Sequence, residues 1–449
     1  MKRFLRSILN SDIKLFGVFF LYPAAVALFV QLVFLPLLFP QWNAGEGLLL
    51  GGDSIWFHQL AASLAQTIHA QGWGAWQLRP QGQGPSGVAA IFYVLFFPHP
   101  WVLIPLYAGL QAVAAFSLFK IILRLTGNRV ASFFAMLPFW LYPSAMIWYT
   151  QIHKDGYMIA GALLILLAWL RLADTATWKR WQAVLISLSM LFGGAFLAWI
   201  VRPYAVQMMQ AVSLVVVVLE IVLFARRFWR REWHLWQGLV AVAVVCASEG
   251  ILTMFTAGGI SSSLSPAPPT TTMTSTSTVP SVWISSGFPA EVEEKAYALA
   301  IVRDGYRLNY PNAGSNIDVS VGFHRISDIL LYIPRATEIV FLSPFPPDWF
   351  KPGTLQSDMV MRREAGFEMI GIYIALLLLP YAIWRWRALP DFWIILIFCS
   401  GLMLIYGLVI ANIGTLYRFR YGFLMTIVAV DLAAGISLIA TRAFSKPIR

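Results

Sequence analysis

The sequence predicts an all-α integral membrane protein, and two observations carry that prediction. Of its 449 residues, 59% are hydrophobic and only 12% charged, whereas soluble domains carry about 25% charged residues. Apolar runs of the length a helix needs to cross a bilayer core also recur along the chain. They fall near 15–39, 101–123, 130–149, 156–172, 183–201, 204–225, 235–256, 366–384, 392–411 and 421–440, about ten transmembrane helices.

The first element begins with the basic stretch "MKRFLRSILNSDIK". Its apolar run is too long for a signal peptide and lacks a small-residue cleavage site, so it reads as an uncleaved signal anchor. Positive charge then orders the loops. With the N-terminus cytoplasmic, the inner loops receive Lys2, Arg3, Arg6 and Lys14, then Lys120, Arg124 and Arg129, then Arg171, Lys179 and Arg180. They also receive "RRFWRRE" at 226–232, Arg385 with Arg387, and Arg442, Lys446 and Arg449. The shorter outer segments keep only Arg79, Lys154, Arg202, Arg418 and Arg420, so both termini are expected in the cytoplasm. Topology accounts for the net charge of +11 without a nucleic-acid partner.

The stretch "SGVAAIFYVLFFP" (86–98) is too short to cross, and as a span it would invert every later loop. It is expected to form a re-entrant or interfacial helix. It closes a first outer loop of about 40–100, in which Trp56, Leu60, Leu64 and Ile68 make one apolar stripe on a surface-lying helix.

The second outer region, 257–365, opens on a Ser/Thr/Pro stretch with too little apolar content to pack, expected to be flexible over 261–281. "PAEVEEKAYALAIVRDGY" reads as a helix with early acids and late Arg303. "RISDILLYIPRATEIVFLSPFPPDWF" (325–350) reads as an amphipathic, proline-bounded segment against the membrane surface. The chain thus divides into a transmembrane module (1–256), an outer region (257–365) and C-terminal helices (366–449). No internal repeat, Gly-rich phosphate loop, Walker motif or paired protease histidines occur, which disfavours nucleotide-driven chemistry. Cys246 and Cys399 lie in separate spans and indicate neither a disulfide nor a thiolate metal site.

Asp53, the knot His153-Lys154-Asp155, Arg202, Arg335, and Arg418 with Arg420 all fall at outer ends of spans. Ionisable groups at the edge of hydrocarbon are costly unless paired or hydrated, so several at one level point to a polar cavity opening outward. Local roles compete with this reading. Asp53 or Asp155 could cap the helix it begins, Lys154 could snorkel, and Arg202 and Arg335 could anchor the interface. Glu220 and Asp431, inside spans, are assigned to inner-end hydration and interhelical hydrogen bonding.

The order of "GGDSIWFHQLA", "QLRPQGQGPSGVAAIFYVLF", "KIILRLTGNR" and "LYPSAMIWYTQIHKD" behind a signal-anchor span resembles the GT-C class of polytopic glycosyltransferases. This is the superfamily of protein O-mannosyltransferases and aminoarabinose transferases, and the likeness runs over residues 1 to about 205. It implies a GT-C-like fold and sugar transfer from a polyprenyl-phosphate-linked donor to a glycan, lipid or protein acceptor. The site would face the periplasm from a bacterial inner membrane.

The first-loop acid of that class, the candidate catalytic base, falls on Asp53, and a second outer-face acid falls on Asp155. Many members have two adjacent first-loop acids, whereas here Ser54 follows Asp53. Asp53 is expected to take the acceptor's proton. Arg418 and Arg420 are expected to hold the donor phosphate, with Arg202, Lys154 and Arg335 assisting. Asp155 would orient Lys154 or an acceptor hydroxyl, with His58, His153 and Tyr204 supporting. A divalent metal shared by Asp53 and Asp155 stays open. The alternatives are a polysaccharide polymerase or O-antigen-ligase-like enzyme, which uses the same donors, and a lipid-linked glycan flippase or transporter. Transporters place polar groups at the bilayer midplane, often in repeated halves, and a purely structural scaffold would leave the outer arginines without a role.

Overall fold

Long apolar runs must satisfy their backbone internally in lipid, and helices do so. The computed structural model describes residues 7–229, 235–256, 282–309, 313–351 and 356–444. Residues 261–281, most of the "RRFWRRE" cluster, Lys2, Arg3 and Arg6, and Arg442, Lys446 and Arg449 lie outside the described residues or their described side chains. Among the described residues there is no β-strand, only isolated bridges, and nine helices are long and apolar enough to cross a membrane. This is the architecture of an α-helical, multi-pass membrane protein.

Helix α1 (Asp12–Leu38) is capped by the Ser11 hydroxyl and ends in a π-helical stretch, Val30–Leu38. The first outer loop holds α2 (Asp53–Gln71) and the 12-residue α3 (Gly84–Leu95), which pack on each other. As expected, α3 is too short to cross. The expected stripe on α2 is rotated: the helix buries Phe57, Ala61, Leu64 and Ile68, while Trp56 and Leu60 are only half-buried. The face turns inward because α2 packs on α3 rather than on lipid alone.

After α4 (Ile104–Thr126), the expected span 130–149 is not one helix. It is three: α5 (Arg129–Ala135), α6 (Leu137–Leu141) and α7 (Pro143–Thr150). Pro138 and Pro143 each lack an amide hydrogen and clash with the preceding turn, so each starts a new helix. Tyr142 before Pro143 is extended, at φ −62° and ψ 135°. The broken segment still carries the chain from one end of the bundle to the other. Arg129 pairs with Asp12 at 2.5 Å at its start, and the Thr150 carbonyl accepts from Gln31 Nε2 at 2.5 Å at its finish.

The bundle continues with α8 (Asp155–Leu172), α9 (Trp181–Val201), α10 (Pro203–Trp229) and α11 (Leu235–Thr256). The most extensive helix contact joins α8 to α9. Gly161 and Gly194 face each other there, and a Cβ on Gly161 would lie 2.6 Å from the Gly194 carbonyl.

The outer region provides α12 (Ala290–Asn309) and α13 (Ile326–Leu342), followed by α14 (Gln356–Leu376), α15 (Leu379–Trp386), α16 (Pro390–Val409) and α17 (Ile413–Phe444). Helix α13 packs against α16 through Tyr332, Ala336, Ile339 and Val340, so its inner face meets protein, while Leu330 and Leu331 stay exposed. Arg303 on α12 is fully buried between Phe323 and Tyr332 and donates to the carbonyls of Val321, Asp318 and Leu408. One guanidinium thereby ties the outer region to the end of α16.

Asp12, Lys120, Arg124, Arg129, Asp174 and Asp391 meet in ion pairs at one end of the bundle. Asp53, His153, Lys154, Asp155, Arg202 and Arg418 lie at the other end.

Candidate functional site

The knot at 151–155 is tied to the first outer loop before any ionic contact is made. Gln151 is buried; it accepts from the Leu49 amide at 2.9 Å and donates to the Gly47 carbonyl at 3.1 Å. Gly47 has φ +74°, and a Cβ there would lie 2.5 Å from the Gln31 carbonyl, so only glycine lets this loop lie on α1. These contacts bring the start of α2, with Asp53, against the start of α8, with Asp155.

Asp155 is the first residue of α8 and is 1% exposed. Its Oδ1 accepts from Arg202 Nη2 at 2.6 Å, and its Oδ2 accepts from Arg418 Nε and Nη2, both at 3.3 Å. His153 Nδ1 lies 2.8 Å from the same Oδ2. The network fixes the tautomer: Nδ1–H donates to Asp155, leaving Nε2 to accept from Arg418 Nη2 at 3.2 Å. Burial and the charge of Arg418 lower the His153 pKa, against the pull of Asp155 and Asp53. Tyr107 Oη accepts from the His153 amide at 3.2 Å.

Pro203 holds Arg202 out of the helical region, at φ −148° and ψ 80°. Its guanidinium is buried, 3.6 Å over the Phe419 ring centroid. Tyr204 and Tyr406 lie close enough to feel its charge. A buried carboxylate with this many donors is a fixed anion that organises two arginines and a histidine.

Asp53 also begins a helix and also meets Arg418, but it lies open to solvent. Gly52, not Asp53, occupies the N-cap of α2, and the Asp53 carboxylate reaches across to Arg418 Nη2 at 3.2 Å. Its side chain is 55% exposed and that of Arg418 31%. Arg418 therefore bridges an open carboxylate and a closed one, and its guanidinium fills the position that a cation shared by Asp53 and Asp155 would take. Among the described residues, no group of three or more His, Cys, Asp or Glu side chains is arranged to hold a metal.

Lys154 and Arg79 complete the charge pattern. Neither has a carboxylate within 4.0 Å among the described residues. The Lys154 ammonium lies 5.5 Å over the Phe57 ring, and Arg79 lies 5.6 Å over Trp199, its Nε buried without a partner. Burial, then Arg202, pull the Lys154 pKa down to about 8; Arg79 adds to this, while Asp53 and Asp155 oppose it. Among the described residues, the cations Arg79, Lys154, Arg202 and Arg418 thus face two carboxylates, Asp53 and Asp155, and the surplus positive charge sits on Arg79 and Lys154.

Two expected phosphate ligands are not brought here. Arg420 follows Arg418 by two residues, which on a helix points it to nearly the opposite side. It is fully buried and donates to the carbonyls of Ile339, Val340 and Ser343, so it staples the end of α13. Arg335 is held by Asp318 at 3.0 Å and Glu338 at 2.9 Å, in the outer region. His58 forms its own group, with Nδ1 2.8 Å from Tyr93 Oη and Nε2 3.2 Å from Glu46. Its pKa is lowered, mostly by burial.

Sequence reasoning missed Arg79 and Tyr107 as site residues and gave Gln151, at the start of the polar knot, no role of its own. Arg79 was among the few basic residues on the positive-poor face, and that signal could have found it. Gln31 and Gln151 stood out as amides in apolar surroundings. Compared with known proteins, the chain matches no family model, no curated protein and no solved structure.

Proposed function

We propose that the chain is a membrane glycosyltransferase that moves a sugar from a polyprenyl-phosphate-linked donor to an acceptor hydroxyl. The single observation that carries this reading is an exposed carboxylate, Asp53, beside a surplus of cations at one end of an apolar helix bundle. A lipid-linked phosphate reaches such a site from the bilayer, and the cations suit its charge.

In the proposed reaction the acceptor oxygen attacks the anomeric carbon as its proton passes to Asp53. The bond from that carbon to the phosphate oxygen breaks, and the electron pair leaves with the lipid phosphate. Lys154 and Arg79 meet that growing charge. Arg418, fixed by Asp155, holds and aims Asp53. Arg202 holds Asp155, so it supports the reaction at one remove, and Arg420 has no part in it. The site faces the periplasm of a bacterial inner membrane, and both termini are cytoplasmic. The acceptor is a glycan, lipid or protein.

The test is glycan product in membranes from a deletion strain complemented with the wild type, Asp53→Asn or Lys154→Ala. General-base loss costs about 10²–10⁴-fold, and loss of a phosphate contact raises the KM for the donor. Wild-type product from both variants at equal protein level overturns the proposal.

A further inference from the structure

At the Asp12 end of the bundle, α4 and α8 leave a groove of about 420 Å³ between α1 and α9. Its floor is two helical stripes: Val113, Phe116 and Lys120 on α4, and Leu164, Leu167 and Arg171 on α8. Three- and four-residue spacings put each set on one face of its helix. Phe16 of α1 and Met190 of α9 form the walls. The groove is therefore apolar along its length and cationic at one end, where Lys120, Arg124 and Arg171 gather.

The three cations are not equivalent. Asp12 holds Lys120 at 2.5 Å, and Asp391 holds Arg124 at 2.8 Å. Arg171 has no carboxylate within 4.0 Å among the described residues; its Nε donates to the Ser187 hydroxyl at 3.0 Å. Its remaining N–H groups, half-buried at the end of the groove, present a planar fork suited to a phosphodiester.

We propose that this groove binds an anionic phospholipid of the leaflet opposite the Asp53–Arg418 cluster. The phosphodiester sits on Arg171 with Lys120 and Arg124 beside it, and an acyl chain runs over Phe116, Leu164 and Leu167. Apolar walls ending in cations match the amphiphile's own division, and basic pockets between transmembrane helices recognise anionic headgroups in this way. The inference is independent of the glycosyltransferase reading.

The experiment uses the purified full-length protein, delipidated in mild detergent. Phosphatidylglycerol, phosphatidylcholine with the same acyl chains, and inorganic phosphate are compared by thermal unfolding midpoint and by lipid retention in native mass spectrometry. Phosphatidylglycerol is expected to raise the midpoint and be retained, and the other two to do neither. Arg171→Gln weakens the phosphatidylglycerol effect about tenfold. Met190→Trp fills the apolar wall, leaves every cation in place and weakens it comparably. An equal effect of phosphatidylcholine overturns the proposal, as does the same shift with inorganic phosphate, which would mark a free-ion site. Unchanged phosphatidylglycerol affinity in either variant also overturns it.

Discussion

The two ends of the helix bundle use the same residue types for different ends. At the Asp12 end, Lys120, Arg124 and Arg129 each have a carboxylate partner, and the acids involved are 24–47% exposed. At the Asp53 end, Asp155 and Arg202 are 1% and 4% exposed, and among the described residues no carboxylate lies within 4.0 Å of Lys154 or Arg79. Exposed pairs contribute about 0–1 kcal/mol each, whereas removing one partner of a buried pair costs about 3–5 kcal/mol. The first end is joined by weak, replaceable bridges. The second buries its ion pairs and, like Arg171 at the first end, leaves Lys154 and Arg79 outside any ion pair among the described residues.

The largest effect is expected at Asp155. Asp155→Ala leaves Arg202 and Arg418 without their shared anion and should lower stability by about 3–5 kcal/mol, read as a fall in unfolding temperature and folded yield. Asp53→Asn should separate chemistry from folding: transfer falls about 10²–10⁴-fold, while stability changes by less than about 1 kcal/mol because the pair is exposed. Asp53→Asn with near-normal transfer would erase the distinction between the two carboxylates.

Arg420→Met sharpens the contrast between two arginines that look equivalent in the sequence. It strands the α13 carbonyls and should cost about 1–3 kcal/mol of stability, yet leave transfer per folded molecule unchanged. Arg418→Met removes a partner of both Asp155 and Asp53, so it should lower transfer per folded molecule as well as stability. The smallest change is expected at the other end, where Asp12→Asn should cost about 1 kcal/mol or less, measured by thermal unfolding at low and high salt.

A pH profile tests the surplus charge itself. The Lys154 pKa is depressed to about 8, so an anion held by its ammonium should be lost as pH rises through that value, seen as a rising donor KM. Between about 8 and the unfolded lysine value the unfolded chain binds more protons than the native one, so this group makes stability rise with pH. Lys154→Arg should abolish the change in KM.

Much of this was legible in the sequence, for physical reasons. Run length and hydropathy gave nine of the ten expected spans as long apolar helices, and arginine and lysine placement grouped Asp53, the 153–155 knot, Arg202 and Arg418 at one level. The break in 130–149 was visible as Pro138 and Pro143, but average hydropathy does not register a proline. Arg420 was misread because adjacency in "YRFRYG" is not adjacency on a helix, where two residues rotate the side chain by about 200°. Arg335 was misplaced because its partner Asp318 comes from a loop whose path no local pattern foretells. The rotated stripe of α2 has the same origin: α3 decides which face is buried, and that contact is tertiary.

The most direct test of the central claim uses the purified protein in lipid nanodiscs with a polyprenyl-phosphate-linked sugar and measures release of free polyprenyl phosphate in the presence of an acceptor. The account predicts release by the wild type, loss of about 10²-fold or more in Asp53→Asn, and a raised donor KM in Lys154→Ala. Release by Asp53→Asn at the wild-type rate, from protein of wild-type stability, contradicts it.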